Sequence, residues 1–201
     1  MSHPTEDFVT EQQRWKELGV RVRAGERQAF KSVFEWLYPE VVAYSASLGG
    51  GTRSAEDLAQ DAFVRLWEKR KLIDPHRSIK ALLFVTVRNL TFNSTRDANN
   101  RRILLETRNA EGEAAKDTAP ERQIDESIDA AMLGTKIRRW IDDLPDREGE
   151  AFRLSRFSEL KHREIADVMG ISKHTVEKHI TNALRTLRDR LKALDPGLLG
   201  Q

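Results

Sequence analysis

Residues 162–180 constrain the fold more than any other segment, because their pattern predicts two short helices joined by a tight turn. The small Ala166 permits close helix packing, and Gly170 suits the left-handed backbone of a turn. Ser172 is placed to cap the next helix with its hydroxyl, and Val176 faces inward again. This is the spacing of a helix-turn-helix, although an ordinary helical hairpin would also fit the window.

Charge is sorted along the chain, although Lys and Arg total 34, Asp and Glu 32, and the net charge is only +2. Residues 76–102 hold six basic residues and one acidic residue, giving +5. Residues 103–130 hold three basic and eight acidic residues, giving −5, and residues 161–192 hold eight basic and four acidic, giving +4. Two basic segments around an acidic connector predict two contacts with nucleic acid. Charges that only solvate helix surfaces would explain the amounts but not the sorting.

Composition excludes several classes of protein. The chain has no cysteine, so it has no disulfide, thiolate metal site or cysteine nucleophile. The apolar run at 81–87 is too short to cross a bilayer, and the N-terminus lacks the pattern of a signal peptide. We expect a cytoplasmic protein that inserts in no membrane. His162, His174 and His179 have no acidic or thiol partner at ligand spacing, so we expect neither a metal site nor a cofactor.

Nearly every periodic segment has helical spacing, which predicts an all-α fold. We expect helices at 15–24, 26–37, 39–48, 54–70 and 78–98, with the proline at 39 starting a new helix and Gly49–Gly51 a break. A second helical module runs from 125 to 194, with Leu144-Pro145 separating its first two helices. The predicted domains are therefore 10–102 and 125–194, and an acidic, flexible linker at 103–124 joins them.

The helix at 54–70 has an inward apolar stripe and an opposite polar face that carries Asp57, Gln60, Asp61 and Glu68. Such a face is either simply solvated or a docking surface for a basic or amide-rich partner helix. The helix at 78–98 begins apolar, and we expect Phe84 and Phe92 in the core. Its back end mixes cations that suit phosphates with amides that suit exposed base edges. These residues are Arg88, Asn89, Asn93, Arg96, Asn99, Asn100, Arg101 and Arg102.

Two separate motifs resemble a known family. The run DLAQDAFVRLW at 57–67 is similar to region 2.2 of sigma-70 factors, in particular the extracytoplasmic-function (ECF) group. The runs DDLPDR at 142–147, AFRLSRF at 151–157, EIA at 164–166 and ISKHTVEKH at 171–179 resemble region 4. The region 4 sequence is especially similar to that of sigma factors of Bacteroidetes and their relatives. The resemblance covers residues 25–191 apart from the linker.

The resemblance implies a sigma factor without catalytic residues, which binds core RNA polymerase and directs initiation at chosen promoters. It implies that region 2 docks on the polymerase clamp helices through Asp57, Gln60, Asp61, Arg65 and Glu68. It also implies that region 2 recognises and melts the −10 element, with Asn89 facing a flipped base; the −10 residues would be Lys80, Arg88, Asn89, Asn93, Arg96, Arg101 and Arg102. Region 4 would bind duplex −35 DNA and contact the polymerase flap. Its −35 residues would be Arg163, Ser172, Lys173, His174, Thr175, Glu177, Lys178, Thr181, Arg185 and Arg188.

Further partners and alternatives follow from the same comparison. The acidic linker would thread toward basic polymerase channels, an anti-sigma factor could cover these surfaces, and the free protein would be a monomer. A LuxR-type regulator that binds DNA without polymerase shares the motif at 171–179, but the first half of the chain lacks the alternating strands of a receiver domain. A nucleic-acid enzyme would need clustered carboxylates for metal ions. Asp142, Asp143 and Asp146 are grouped, but they are better explained as helix-end charges.

Overall fold

In the computed structural model, residues 4–49, 51, 53–108 and 130–194 are described, with side chains for 13–49, 51, 53–100 and 133–194. The regular structure of this part of the chain is helical, which confirms the all-α prediction. The α-helices are α1 (Pro4–Arg23), α2 (Arg27–Ser47), α3 (Ala55–Glu68), α4 (Ile79–Arg108), α5 (Ala130–Asp142), α6 (Asp146–Arg156), α7 (His162–Met169) and α8 (Lys173–Leu194), and a single 3-10 turn lies at Arg70–Leu72.

Helix α2 is continuous through Pro39, so the predicted break at that residue is wrong. A proline inside a helix removes one backbone hydrogen bond and normally kinks or ends it. Here Val33, Leu37 and Val41, on both sides of the proline, are fully buried on one face. Burial of this shared stripe holds the two halves of α2 in one helix, while Pro39 itself faces solvent.

Helix α4 is longer than the sequence predicted. It continues to Arg108, beyond the predicted end of the first domain at 102 and into the predicted linker. Residues 98–108 contain neither glycine nor proline, so nothing in the chain terminates the helix there. Helix α1 also begins earlier than expected, at Pro4, and α5 is described from Ala130 onward. The remainder of the predicted linker, 109–124, lies outside the described residues.

Helices α2, α3 and α4 pack around the core of the first module. The hydroxyl of Ser54 accepts a hydrogen bond from the Asp57 backbone N–H at 3.0 Å and so caps the start of α3. Gly51 has a φ of +59°, and a Cβ there would lie only 2.8 Å from the Ser94 carbonyl oxygen of α4. This close approach requires glycine at position 51, which lies directly against the backbone of α4.

The helix-turn-helix is confirmed at α7 and α8. Gly170 ends α7 in the left-handed conformation, with a φ of +66°. The Ser172 hydroxyl accepts a hydrogen bond from the Thr175 N–H at 3.1 Å and so caps α8. Ile165 and Val176 are fully buried between the two helices. Leu144-Pro145 separates α5 from α6 as predicted.

The two modules share a hydrophobic core, a feature that the sequence does not reveal. Leu83, Phe84 and Val87 of α4 belong to the same buried cluster as Leu154 of α6 and Val168 of α7. Helix α7 packs against α4, and α6 contacts α2. A smaller cluster, formed by Ile141, Leu144, Phe152 and Ala183, lies within the second module. The helix-turn-helix therefore docks on the helix that carries the first basic segment.

Candidate protein and nucleic-acid interfaces

Helix α3 presents its predicted polar face to solvent. Asp57, Gln60, Arg65 and Glu68 are exposed, while Leu58, Ala59, Ala62, Phe63 and Leu66 are buried beneath them. Asp61 is partly exposed, and its carboxylate accepts a hydrogen bond from the Arg53 guanidinium at 2.7 Å. The structure brings all of the predicted polymerase-binding side chains onto one helix. The ion pair between Arg53 and Asp61 is exposed, so a partner that binds Asp61 can displace Arg53 at little cost in free energy.

An apolar groove of about 670 Å³ adjoins this face between α2 and α3. It is lined by Arg27, Phe30, Phe34, Gln60, Phe63, Val64, Trp67 and Glu68. Val64 is 54% exposed, and the ring centres of Phe34 and Phe63 lie 4.8 Å apart. The sequence pattern within a single helix does not reveal this groove, because its walls come from two helices. An apolar groove with polar edges suits an amphipathic helix that also carries polar or basic side chains.

On α4, the predicted −10 residues fall into two sets. Asn89, Asn93 and Arg96 are exposed. Lys80 is only 4% exposed and its ammonium lies 3.2 Å from the Glu40 carboxylate, while Arg88 is paired with Glu150 of α6 at 2.6 Å. In this conformation neither cation is available to a phosphate. The side chains of Arg101 and Arg102 lie outside the described residues.

Phe92 is 42% exposed, so its predicted place in the core is wrong. It lies one turn beyond Arg88, whose guanidinium is 4.5 Å from the centre of the Phe92 ring. The buried face of α4 instead follows Phe84, Val87 and Thr91. Strict helical periodicity would have placed residue 92 with the polar positions 88 and 96, so this signal was present in the sequence. An exposed aromatic ring between amides and cations can stack against an unpaired base.

Helix α8 projects the predicted −35 residues from the surface. Lys173, His174, Lys178, Thr181, Arg185 and Arg188 are exposed, as are Ser172 in the turn and Arg163 near the start of α7. Glu177 is held by Lys173 at 3.3 Å and by His162 at 3.5 Å. The hydrogen bond from Lys173, aided by His162, lowers the pKa of Glu177 below its ordinary value. The Thr175 hydroxyl is hydrogen-bonded to Ser172 at 2.7 Å, so it supports the start of the helix.

A second, smaller groove of about 220 Å³ lies between α5 and α8. Its walls are Ile137, Trp140, Leu184, Leu187, Arg188 and Leu191. Within the described residues, His, Cys, Asp and Glu side chains form no group that could hold a metal ion. Nor is any helix in that part of the chain both long and apolar enough to cross a membrane.

Comparison with known proteins gives matches to two family models, in the order predicted. The model for Sigma-70 region 2 matches residues 33–101, which include α3 and most of α4. The model for Sigma-70, region 4 matches residues 135–187, which include the helix-turn-helix. Together the two models cover more than half of the chain, and each contains one of the two predicted basic surfaces.

Curated relatives extend this similarity over most of the chain. The ECF RNA polymerase sigma factor RpoE of Cereibacter sphaeroides is 29% identical over 168 residues, covering 81% of this chain and 86% of the relative. The ECF RNA polymerase sigma factor SigL of Mycobacterium tuberculosis is 27% identical over 176 residues, covering 85% and 96%. Among solved structures, the sigma factor RpoE of Bartonella quintana, in complex with the anti-sigma factor NepR, has a TM-score of 0.60. It is 23% identical, covers 81% of this chain and 96% of that one, and shows the fold.

Proposed function

The chain belongs to the ECF group of the sigma-70 family, and we propose that it binds core RNA polymerase and directs it to a defined set of promoters. The observation that carries this function is the pair of family matches in order, each over a module with an exposed, charged surface. The protein has no chemistry of its own in this role; it positions polymerase and holds opened DNA. Such a function requires the cytoplasm, where core polymerase and promoter DNA meet.

We assign the polar face of α3 and the adjoining apolar groove to the polymerase clamp helices. The face supplies Asp57, Gln60, Asp61, Arg65 and Glu68. A coiled coil that presents basic and amide side chains beside apolar ones would satisfy both parts of this surface. The groove supplies apolar area, and the acids orient the partner and speed its encounter.

The exposed side of α4 is assigned to the −10 element. Asn89 and Asn93 can hydrogen-bond unpaired base edges, Arg96 can bind phosphate, and Phe92 can stack on a base that has left the duplex. Unstacking a base costs a few kcal/mol, so a site that opens DNA must return that energy through such contacts. Lys80 is assigned no direct contact while its ammonium is paired with Glu40. Arg88 is assigned to a DNA phosphate, which it can bind after its ion pair with Glu150 has broken.

The start of α8 is assigned to duplex −35 DNA. Lys173, His174 and Lys178 point outward near the N-terminus of the recognition helix, where side chains of a helix-turn-helix reach base edges. Thr181, Arg185 and Arg188 lie further along, where phosphate contact is the simpler role. Glu177 acts by holding Lys173 in place. The groove between α5 and α8 is assigned to the polymerase flap as its apolar binding site.

An anti-sigma factor remains part of the proposal, because a sigma factor of similar fold has been solved bound to one. The acidic linker is proposed to follow basic channels of polymerase. Replacing its acids with neutral residues is expected to weaken binding to core polymerase. Unchanged affinity and unchanged initiation would remove the linker from the mechanism.

The decisive experiment is run-off transcription with purified core RNA polymerase over genomic promoter fragments, with and without this protein. We expect transcripts that depend on the protein and begin at a discrete set of promoters. DNA binding without polymerase, together with no new transcripts, would instead support the LuxR-type regulator.

The docking face is tested by Asp61→Arg. Reversing this charge on α3 should weaken core binding in a fluorescence-anisotropy titration while the circular dichroism melt stays the same. Glu17→Arg makes the same charge change on the exposed side of α1 and serves as the matched control. Equal affinities for the two variants would remove this face from the polymerase interface.

A further inference from the structure

The two modules are joined by a buried ion pair. Arg88 of α4 donates hydrogen bonds to both carboxylate oxygens of Glu150 on α6, at 2.6 and 3.3 Å. The Tyr44 hydroxyl on α2 donates a further hydrogen bond to Glu150 at 2.8 Å. The side chains of Arg88 and Glu150 are only 11% and 4% exposed. Because three helices from both modules meet here, the network exists only while the modules are in contact.

The protonation states of Tyr44 and Arg88 favour contact between the two modules, which we call the closed arrangement. Burial raises the pKa of the Tyr44 hydroxyl, and the charge of Glu150 raises it further, so the hydroxyl keeps its proton and remains a donor. Burial alone would lower the pKa of Arg88, but the hydrogen bond and charge of Glu150 outweigh this effect and raise it. Arg88 is therefore a cation in the closed chain, and Glu150 supplies the negative charge that it needs.

Other contacts extend the interface on both sides of this pair. Phe84 and Val87 of α4 belong to one buried cluster with Leu154 of α6 and Val168 of α7. At the exposed edge, the Arg77 guanidinium is hydrogen-bonded to the Asp167 carboxylate of α7. The contact therefore has an apolar centre, a buried ion pair and an exposed ion pair.

The closed arrangement leaves the proposed polymerase and −35 surfaces open but covers a central part of the −10 surface. The polar face of α3 and the outer side of α8 are exposed, whereas Arg88 is enclosed by Glu150. We propose that the second module is an intramolecular inhibitor of −10 recognition, with the Glu150 carboxylate occupying the place of a DNA phosphate on Arg88. This inference rests on the proposed assignment of α4 to the −10 element.

The distance between promoter elements requires the contact to open. The −10 and −35 elements are about 25 base pairs apart, which at ~3.4 Å per base pair is about 85 Å of duplex. Modules that share a buried core cannot reach both elements together. The segment 109–129 between α4 and α5 can span about 70 Å when extended, so the chain length permits separation. Opening therefore precedes or accompanies promoter binding.

The inhibitor is tested by fixing the modules together. The chain has no cysteine, so Arg77→Cys/Asp167→Cys creates a single pair of thiols across the interface. A short bis-maleimide with a reducible spacer is reacted with the full-length protein, excess reagent is removed, and the monomer is purified. The matched controls are the two single-cysteine variants treated in the same way, and the double variant without reagent. Core binding and open-complex formation are then measured with purified polymerase.

We expect efficient cross-linking within one chain, retained binding to core polymerase, loss of open-complex formation, and recovery when the spacer is reduced. Failure to cross-link would show that the closed contact is absent in solution and overturn the proposal. Full open-complex formation by the cross-linked protein would also overturn it. The proposed function is judged separately by the uncross-linked double variant: if that protein directs no transcription, the sigma assignment fails, whatever the cross-link does.

Discussion

Glu150→Gln is expected to open the two modules without unfolding either of them. The substitution keeps the shape of the side chain and its hydrogen bond with Tyr44, but it leaves the Arg88 cation enclosed without a counter-charge. Removing one partner of a buried ion pair costs about 3–5 kcal/mol. Because Gln still accepts hydrogen bonds, we take the lower value, about 3 kcal/mol.

Separation of the modules avoids this cost, because Arg88 then returns to water. The penalty therefore appears as a shift from the closed to the open form. At ~1.36 kcal/mol for each factor of ten, 3 kcal/mol corresponds to roughly a 150-fold increase in the ratio of open to closed protein. The melting of each module, which keeps its own helices and internal contacts, should change far less than this ratio.

The assay is pulsed electron paramagnetic resonance on nitroxides attached to cysteines introduced at Glu17 and Lys192, on α1 and α8. The parent should give a narrow, short distance distribution, and Glu150→Gln a broad, long one. Glu148→Gln is the matched control, since Glu148 is on the same helix but bonds Asn182 within its own module. Equal distributions for the parent and Glu150→Gln would refute the reasoning.

A double substitution separates the ion pair from the apolar contact. Replacing both partners of a buried pair with apolar residues of similar volume is often neutral or stabilising. Made together with Tyr44→Phe, which avoids leaving a buried hydroxyl without its acceptor, Arg88→Met/Glu150→Met should therefore keep the modules closed, in contrast to Glu150→Gln alone. If this combined variant opens as widely as the single one, an unpaired Arg88 is not the cause of opening.

Three other predictions follow from the proposed interfaces. Lys178→Ala should weaken −35 duplex binding about tenfold, within the ~1–3 kcal/mol expected for a base contact, and unchanged footprints would contradict its role. Phe92→Ala should reduce open-complex formation about tenfold or more, because stacking contributes ~1–3 kcal/mol per base, whereas Phe92→Tyr should retain it; equal loss in both would exclude stacking. Because the pKa of Tyr44 is raised in the folded protein, its contribution to stability is complete below about pH 10 and is lost as the pH rises further. Tyr44→Phe should therefore flatten the fall in stability at alkaline pH, measured by urea unfolding with Tyr38→Phe as control, and parallel curves would refute it.

The sequence predicted the local structure where a residue type has a single physical use. Gly170 and Ser172 mark the helix-turn-helix because a left-handed turn and a free N–H group at a helix start select those residues. Pro39 misled the same reasoning, because burial of the stripe on both sides of it outweighs the lost hydrogen bond. The predicted helix ends were wrong where the sequence has no stop signal, as at the end of α4.

The candidate interfaces were predictable only in part, for a related reason. The outward residues of α3 and α8 follow from periodicity within one helix. The groove beside α3 depends on how α2 packs against α3. The burial of Arg88 depends on Glu150, which is 62 positions away in sequence. Arg88 and Glu150 each look like ordinary surface charges in their own helices, so no local pattern distinguishes them from Arg96 or Glu148.

An ion pair at the centre of the module interface gives the contact a property that an apolar pair would lack. Compared with well-packed apolar side chains, a buried ion pair adds little net stability. It does, however, present a cation that a polyanion can also bind, so in the proposed mechanism promoter DNA competes directly with Glu150 for Arg88. A ligand shifts a two-state equilibrium only by its difference in affinity for the two states. In the proposed mechanism Arg88 contacts phosphate only when the modules separate, so DNA would bind the open state better and promote opening. A purely apolar contact would give DNA no such preference through this residue.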